Sequence, residues 1–321
     1  MQEIYQVFSL EIPRINSILH KWVEDLPEYV RPIGDHVLGN GGKRLRPILT
    51  VLTARMLGCD DERVYTLAAA MESMHAATLL HDDILDNSLL RRGRPTAHTL
   101  FGTTQAILGG DAILAQAMQK VAGLGDTRFT ACMAEAIVKT AAGEIAEISS
   151  LRSTEISHTA YLDIIRGKTA WMLRTACYVG ALAAGASPER IDSAGRFGLD
   201  LGIAFQMVDD VLDFTPHDTT GKPMGGDLKE GKLTPPLMLY LKDLPEEEAA
   251  RFKEKFTGAG FSDAEMDMIS KAVHERGYAQ KARELAGNFL ADAATALENM
   301  PDNNERRLLR KTVDFIGSRE L

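Results

Sequence analysis

The chain has 321 residues, a formal net charge of −9 and an apolar share of 45%, of which little is aromatic. Such a length supports a large buried core, and the acidic balance argues against nucleic acid as the main partner. Cys59, Cys132 and Cys177 are widely spaced and show no zinc-type pattern, which reads as buried, reduced thiols of a cytoplasmic protein.

The amino-terminal MQEIYQVFSLEIPR lacks the basic start and apolar core of a signal peptide. No apolar run reaches the roughly 20 residues that span a bilayer; the most apolar stretch, 170–186, is broken by Arg174. Pro13, Pro27 and Pro32 are expected to punctuate the first helices. Gly41-Gly42-Lys43-Arg44-Leu45-Arg46-Pro47 then sets three cations just before an apolar helix that begins near Pro47. Glycines let backbone amides approach an anion, and a helix start favours negative charge. Taken alone, the segment reads equally well as a basic surface turn.

Apolar residues recur at three- and four-residue spacing over 62–81, 105–122, 130–151 and 190–214, which predicts helices there. GCDDE (58–62) and GASPERI (185–191) each pair a helix stop with a helix start, with Ser187 as cap and Pro188 in the first turn. Alternating β-branched runs are nearly absent, and no linker divides the chain. The expectation is one all-α domain over residues 1–321.

Two copies of one acidic pattern stand out: Asp82, Asp83 and Asp86 in HDDILD, and Asp209, Asp210 and Asp213 in VDDVLD. On a helix, positions i, i+1 and i+4 lie within one turn. Two like charges about 4 Å apart repel by roughly 4 kcal/mol at an effective dielectric of 20, so clustered carboxylates call for cations. One copy alone is more often a solvated helix end. Both copies here follow apolar runs, HAATLL and IAFQMV, where unpaired carboxylates are costly. Mg²⁺ fits, since it binds through one or two carboxylates plus substrate phosphates.

Basic residues accompany both motifs. Arg91 and Arg92 come after the first, and paired guanidinium groups suit phosphate oxygens; charge balance for the aspartates is the plainer explanation. Lys168-Thr169 in RGKTA comes after a helical stretch. The segment 215–236, dense in Gly and Pro, reads as a long functional loop carrying Lys222, Asp227, Lys229 and Lys232. Two acidic and two basic sets form an inventory for two diphosphates, one held through metal and one by cations alone.

The order GGKRLRP, HDDILD with RRG, GKTA, FQMVDDVLD and the GK…GD…GK loop resembles the trans-isoprenyl diphosphate synthases. The resemblance covers about residues 35–240 by motif. It implies a single helical bundle around a deep central cavity (the type I isoprenoid synthase fold), usually a homodimer. It assigns Asp82, Asp83 and Asp86 to the first Mg²⁺ motif, and Asp209, with Asp213 through water, to the second, with three Mg²⁺ ions per site. Lys43, Arg46, His75 and Arg92 match the isopentenyl diphosphate site. Arg91, Lys168, Thr169, Gln206, Lys222 and Lys232 match positions that hold the allylic diphosphate. Of these, Lys168 and Lys222 join the aspartates as catalytic residues. The implied reaction is ionisation of the allylic diphosphate, attack by the double bond of isopentenyl diphosphate, and loss of a proton.

Ala77 and Thr78 lie five and four residues before Asp82, one helical turn back. Short-chain members of the family carry a bulky aromatic near here. The small residues therefore imply a product of C30–C50, octaprenyl within that range, with Met74, Met71 or a residue near 111–122 as the floor. A product of that kind implies transient membrane contact at release. A geranylgeranyl (C20) synthase is the alternative. A class I terpene cyclase would not need the GGKRLRP segment, and a non-catalytic partner subunit would not need both intact aspartate motifs.

Overall fold

Nearly all regular structure among the described residues is helical; the exception is a two-residue hairpin, Leu90–Arg91 (β1) antiparallel to Arg94–Pro95 (β2). The computed structural model describes residues 2–39, 44–216 and 224–318, with side chains from Ser9 onward. The chain forms two compact units: Met1–Ile137 with Thr175–Gly195 and Asn299–Lys311, and Val138–Arg174 with Arg196–Glu298 and Thr312–Leu321.

The first unit holds α1 (Gln2–Glu24), α2 (Arg31–Leu38), α3 (Leu45–Met56), α4 (Glu62–Leu85), α5 (Ala97–Phe101), α6 (Thr103–Ala122) and the start of α7 (Thr127–Ser150). Helix α4 begins where the GCDDE signal places it, with the Asp61 side chain accepting from the Arg63 N–H at 2.9 Å. Its middle is buried on nearly every side, with Leu67 through Met71 inaccessible. A helix that is apolar all round belongs at the centre of its unit. Small residues let α6 approach it: a Cβ on Gly110 would meet the His81 ring at 2.5 Å. One buried ion pair crosses this unit, Arg44 Nη1 to Glu72 Oε1 at 2.6 Å.

The second unit holds the rest of α7, α8 (His158–Ile165), a π-helical turn (Arg166–Ala170), part of α9 (Trp171–Ala183), most of α10 (Pro188–Leu212), α11 (Gly226–Glu230), α12 (Pro235–Lys242), α13 (Glu246–Thr257), α14 (Asp263–Glu275), α15 (Tyr278–Ala296) and the end of α16 (Asn304–Gly317). Phe214, Leu237, Phe252, Phe256, Val273 and Tyr278 form an aromatic-rich core around α12. Ser262 and Glu265 close a capping box at the start of α14.

Three local expectations need correction. Pro13 lies inside α1 rather than between helices; a proline removes one helical donor without forbidding the helix when flanking turns hold it. The 215–236 stretch is not wholly loop, because α11 occupies 226–230 and α12 starts at Pro235, a residue suited to the first helical turn. Of the cysteines only Cys177 is buried, while Cys59 and Cys132 are partly exposed; all three are free thiols. Among the described residues no helix is long and apolar enough to cross a membrane.

Candidate active site

Each acidic motif ends a long helix and is anchored by the segment just past that helix. In the first unit, Asp83 is buried and its Oδ1 accepts from Arg91 Nε at 2.5 Å. Arg91 reaches back because the chain reverses at once. Arg92 and Gly93 both take positive φ (54° and 74°), the conformation of the tight hairpin turns that match strand twist. The Thr96 hydroxyl ties the hairpin down by donating to the Ser88 carbonyl at 2.7 Å. Asp82 is half-buried, whereas Asp86 is exposed at the end of α4.

Arg91, Arg92 and Arg94 line a cavity of about 310 Å³ together with His36, Asp83 and Leu80. Three guanidinium groups around one opening suit an anion with several oxygens. Arg46 and His75 do not line this cavity. Arg46 Nε is buried without a hydrogen-bond partner. Burial draws the Arg46 guanidinium down to about 10, with Glu72 opposing. Burial, with Arg46, Arg92, Arg91 and Arg44 adding to it, holds the His75 imidazole well below its ordinary range, so it is neutral. Arg44, which reads from sequence as part of an anion-binding turn, is spent on Glu72, Asn16 and the Leu38 carbonyl. Lys43 and Lys222 lie outside the described residues.

The second unit brings together another part of the expected set. Lys168, Gln206, Asp210 and Lys232 line a cavity of about 80 Å³ with Asp227, Tyr161 and Glu147. The π turn makes this possible: one extra residue per turn re-aims the side chains, and the Thr169 hydroxyl then donates to Gln206 Oε1 at 2.8 Å. Gln206 Nε2 donates in turn to Asp210 Oδ1 at 2.9 Å, and the Tyr161 hydroxyl donates to Oδ2 at 2.6 Å. Burial, with Asp209 and Glu147 adding to it, raises the Asp210 carboxyl to about 6 while these two donors oppose the rise. Asp213 Oδ2 accepts from the Asp227 N–H at 2.9 Å, fixing α11 to the end of α10.

Both lysines are neutralised by carboxylates. Lys168 Nζ lies 2.5 Å from Glu147 Oε1 and 3.1 Å from Glu144 Oε2; Lys232 Nζ lies 3.3 Å from the same Glu147 oxygen and 2.8 Å from Glu230. Burial weakens the hold of both lysines on their protons, but their carboxylate partners outweigh it and keep them charged. Glu144, Glu147 and Tyr161 were not anticipated as site residues. For the two glutamates a signal existed, since carboxylates inside an apolar helical stretch are costly unless paired; for Tyr161 there was none.

Among the described residues no three carboxylate, imidazole or thiolate side chains converge as a ready-made metal cage. A divalent cation fits all the same. Asp227 Oδ2 is buried with no hydrogen-bond partner. Burial, with Asp210 and Asp213 beside it, pushes the Asp227 carboxyl well above its ordinary value. Mg²⁺ commonly takes one or two carboxylates and completes its shell with water and substrate phosphates, so an unbalanced acidic wall beside cationic groups suits a metal that arrives with a diphosphate.

A mainly helical chain with duplicated aspartate motifs and separate cationic clusters fits an enzyme that handles diphosphates. The Polyprenyl synthetase family model matches residues 27–274, and the chain belongs to that family. Its members are trans-polyprenyl diphosphate synthases, divalent-metal-dependent prenyltransferases, and the fold is the type I isoprenoid synthase fold. The chain is 34% identical over 324 residues to heptaprenyl diphosphate synthase component 2 of Geobacillus stearothermophilus, covering 100% of this chain and 99% of the relative. It is 31% identical to octaprenyl diphosphate synthase of Escherichia coli over 96% of both chains. Among solved structures, a polyprenyl synthase from Caulobacter crescentus complexed with calcium and isoprenyl diphosphate is similar with a TM-score of 0.92 and 32% identity, over 100% of this chain and 98% of that one.

Proposed function

We propose that residues 1–321 act as one catalytic domain that condenses isopentenyl diphosphate with an allylic diphosphate to give an all-trans product of C30–C50, octaprenyl within that range. The observation that carries the long-chain reading is the small side chain of Ala77, one turn before Asp82 on α4, with Thr78 beside it and Met74 fully buried a turn further back. Relatives named as heptaprenyl and octaprenyl synthases support the same range.

In this reading Lys168, Lys232, Lys222, Arg91, Thr169 and Gln206 bind the allylic diphosphate. Asp82, Asp83, Asp86, Asp209 and Asp213 would hold three Mg²⁺ ions, which when bound supply charge neutralisation to the leaving diphosphate. Charged lysines take up negative charge as the allylic C–O bond breaks. Arg46, Arg92, His75 and Lys43 hold isopentenyl diphosphate without metal, and its double bond attacks the allylic carbocation. A neutral His75 leaves the arginines as the charged partners of that second diphosphate. The proton lost at the end passes to the released diphosphate, so no protein nucleophile is needed.

A homodimer is the assembly we favour, supported by an exposed apolar stripe on α7, where Val138, Ile145 and Ile148 are 66%, 65% and 45% accessible. A heteromeric synthase is the second reading, favoured by the similarity to a relative named as a component. The purified chain incubated with Mg²⁺, labelled isopentenyl diphosphate and farnesyl diphosphate tests the reaction and the product length. A discrete C30–C50 alcohol after dephosphorylation is expected, and a product ending at C20 replaces the long-chain reading with geranylgeranyl synthesis. Inactivity of the chain alone, with activity restored by a second component, supports the heteromer.

A further inference from the structure

A carboxylate inside a phosphate-binding pocket looks adverse, since it repels the ligand. Glu147 is such a group: it lines the cavity with Lys168 and Lys232, and one of its oxygens, Oε1, receives both ammonium groups at 2.5 and 3.3 Å. Two ammonium groups that share one oxygen have their separation bounded by those two contacts. Without the shared anion the two ammonium groups would repel by several kcal/mol at close range, each left with only its own separate carboxylate.

The surrounding backbone serves the same end. On the turn before Glu147, Gly143 lies in backbone contact with the π turn; a Cβ there would fall 2.3 Å from the Lys168 nitrogen, and one on Gly167 would fall 2.8 Å from the Gly143 Cα. On the turn after it, the Arg152 N–H donates to the Gly231 carbonyl at 2.7 Å, next to Lys232 in sequence. A Cβ on Gly231, whose φ is +81°, would meet Arg152 Cγ at 2.7 Å. Residues 143–152, at the end of α7 and just past it, thus grip the backbone beside each lysine, while Glu147 grips both side chains.

We propose that Glu147 is a positioning residue: it is the shared counter-ion that sets the spacing of the Lys168 and Lys232 ammonium groups for the allylic diphosphate. Glu144 and Glu230 each hold one lysine only, so neither can set a distance between the two. The inference rests on the reading that these lysines bind the allylic diphosphate.

The test compares Glu147→Gln, Glu147→Asp and Lys168→Met with the unaltered enzyme. Inorganic diphosphate binding is read by calorimetry in the presence of Mg²⁺, and steady-state kinetics are run with farnesyl diphosphate or isopentenyl diphosphate varied. Losing a charged hydrogen-bonded partner predicts about tenfold weaker diphosphate binding and a lower kcat in Glu147→Gln. KM for isopentenyl diphosphate stays unchanged, and Glu147→Asp, which keeps the charge, recovers part of the loss. Equal or tighter diphosphate binding in Glu147→Gln would mean that Glu147 merely competes with the ligand, and overturns the proposal. If Glu147→Gln does not fold, Glu147→Asp decides: diphosphate affinity and kcat unchanged by the shorter side chain overturn the idea as well. Unimpaired diphosphate binding in Lys168→Met removes the site reading itself, which separates that failure from a failure confined to Glu147.

Discussion

The Tyr161 hydroxyl and Asp210, 49 residues apart in sequence, meet at 2.6 Å, and Gln206 takes the other oxygen of the same carboxylate. Each oxygen of the Asp210 carboxylate thereby accepts one hydrogen bond from a neutral donor. Removing the hydroxyl leaves a buried acceptor short of a partner, at a cost of about 1–3 kcal/mol. Tyr161→Phe is therefore expected to lower the unfolding free energy from denaturant titration by an amount in that range; unchanged stability would show that water replaces the hydroxyl without loss.

Chain length is expected to depend on the residue one turn before Asp82. Ala77 is 1% exposed on the central helix α4. On the long-chain reading proposed above, a phenylalanine there adds bulk in the path of the growing tail, so Ala77→Phe should shorten the product by at least one isoprene unit. Chromatography of the dephosphorylated alcohols gives the answer, and an unaltered length removes Ala77 from the determinants.

The contact between Gly143 and the π turn leaves no room for a methyl group. Gly143→Ala must push α7 and the Lys168 backbone apart, and overpacking of this kind typically costs about 1–3 kcal/mol. A lower melting temperature together with a raised KM for the allylic substrate is expected. A fall in melting temperature with unaltered KM would confine Gly143 to stability.

Asp200 provides a pH signature away from the motifs. Burial, with Asp292 nearby, raises its carboxyl to about 6, while Arg166 and Arg196 oppose the rise. Because the folded state holds this proton more tightly than the unfolded chain, the contribution is present at acid pH and is lost as pH rises from about 4 to about 6. Asp200→Asn is expected to flatten that part of the melting temperature–pH curve and to leave the enzyme more stable than the parent above pH 6. Superimposable curves would place the group in water.

Much of the architecture was legible because it is local. The spacing predicted helices at 62–81 and 190–214, and the structure has them at Glu62–Leu85 and Pro188–Leu212, begun at Asp61 and Pro188 by the capping and proline signals. Pro13 and the 226–230 helix escape local reading for the complementary reason: neighbouring turns and packing decide whether a proline or a short glycine-flanked stretch stays helical.

The sequence by itself determined the helical class, the two aspartate motifs, the basic residues beside them and the family, because each is carried by residue type at fixed short spacing. Only the tertiary structure decided which charges meet. Glu147 and Lys168 are 21 residues apart and Tyr161 and Asp210 are 49 apart, and Arg44, a plausible ligand by sequence, is turned inward to Glu72. Helical periodicity fixes the face a side chain occupies relative to its own axis. Which partner waits across that face depends on how closely two backbones approach, and here that distance was set by glycines such as Gly143 and Gly167, which carry no side chain to announce the contact.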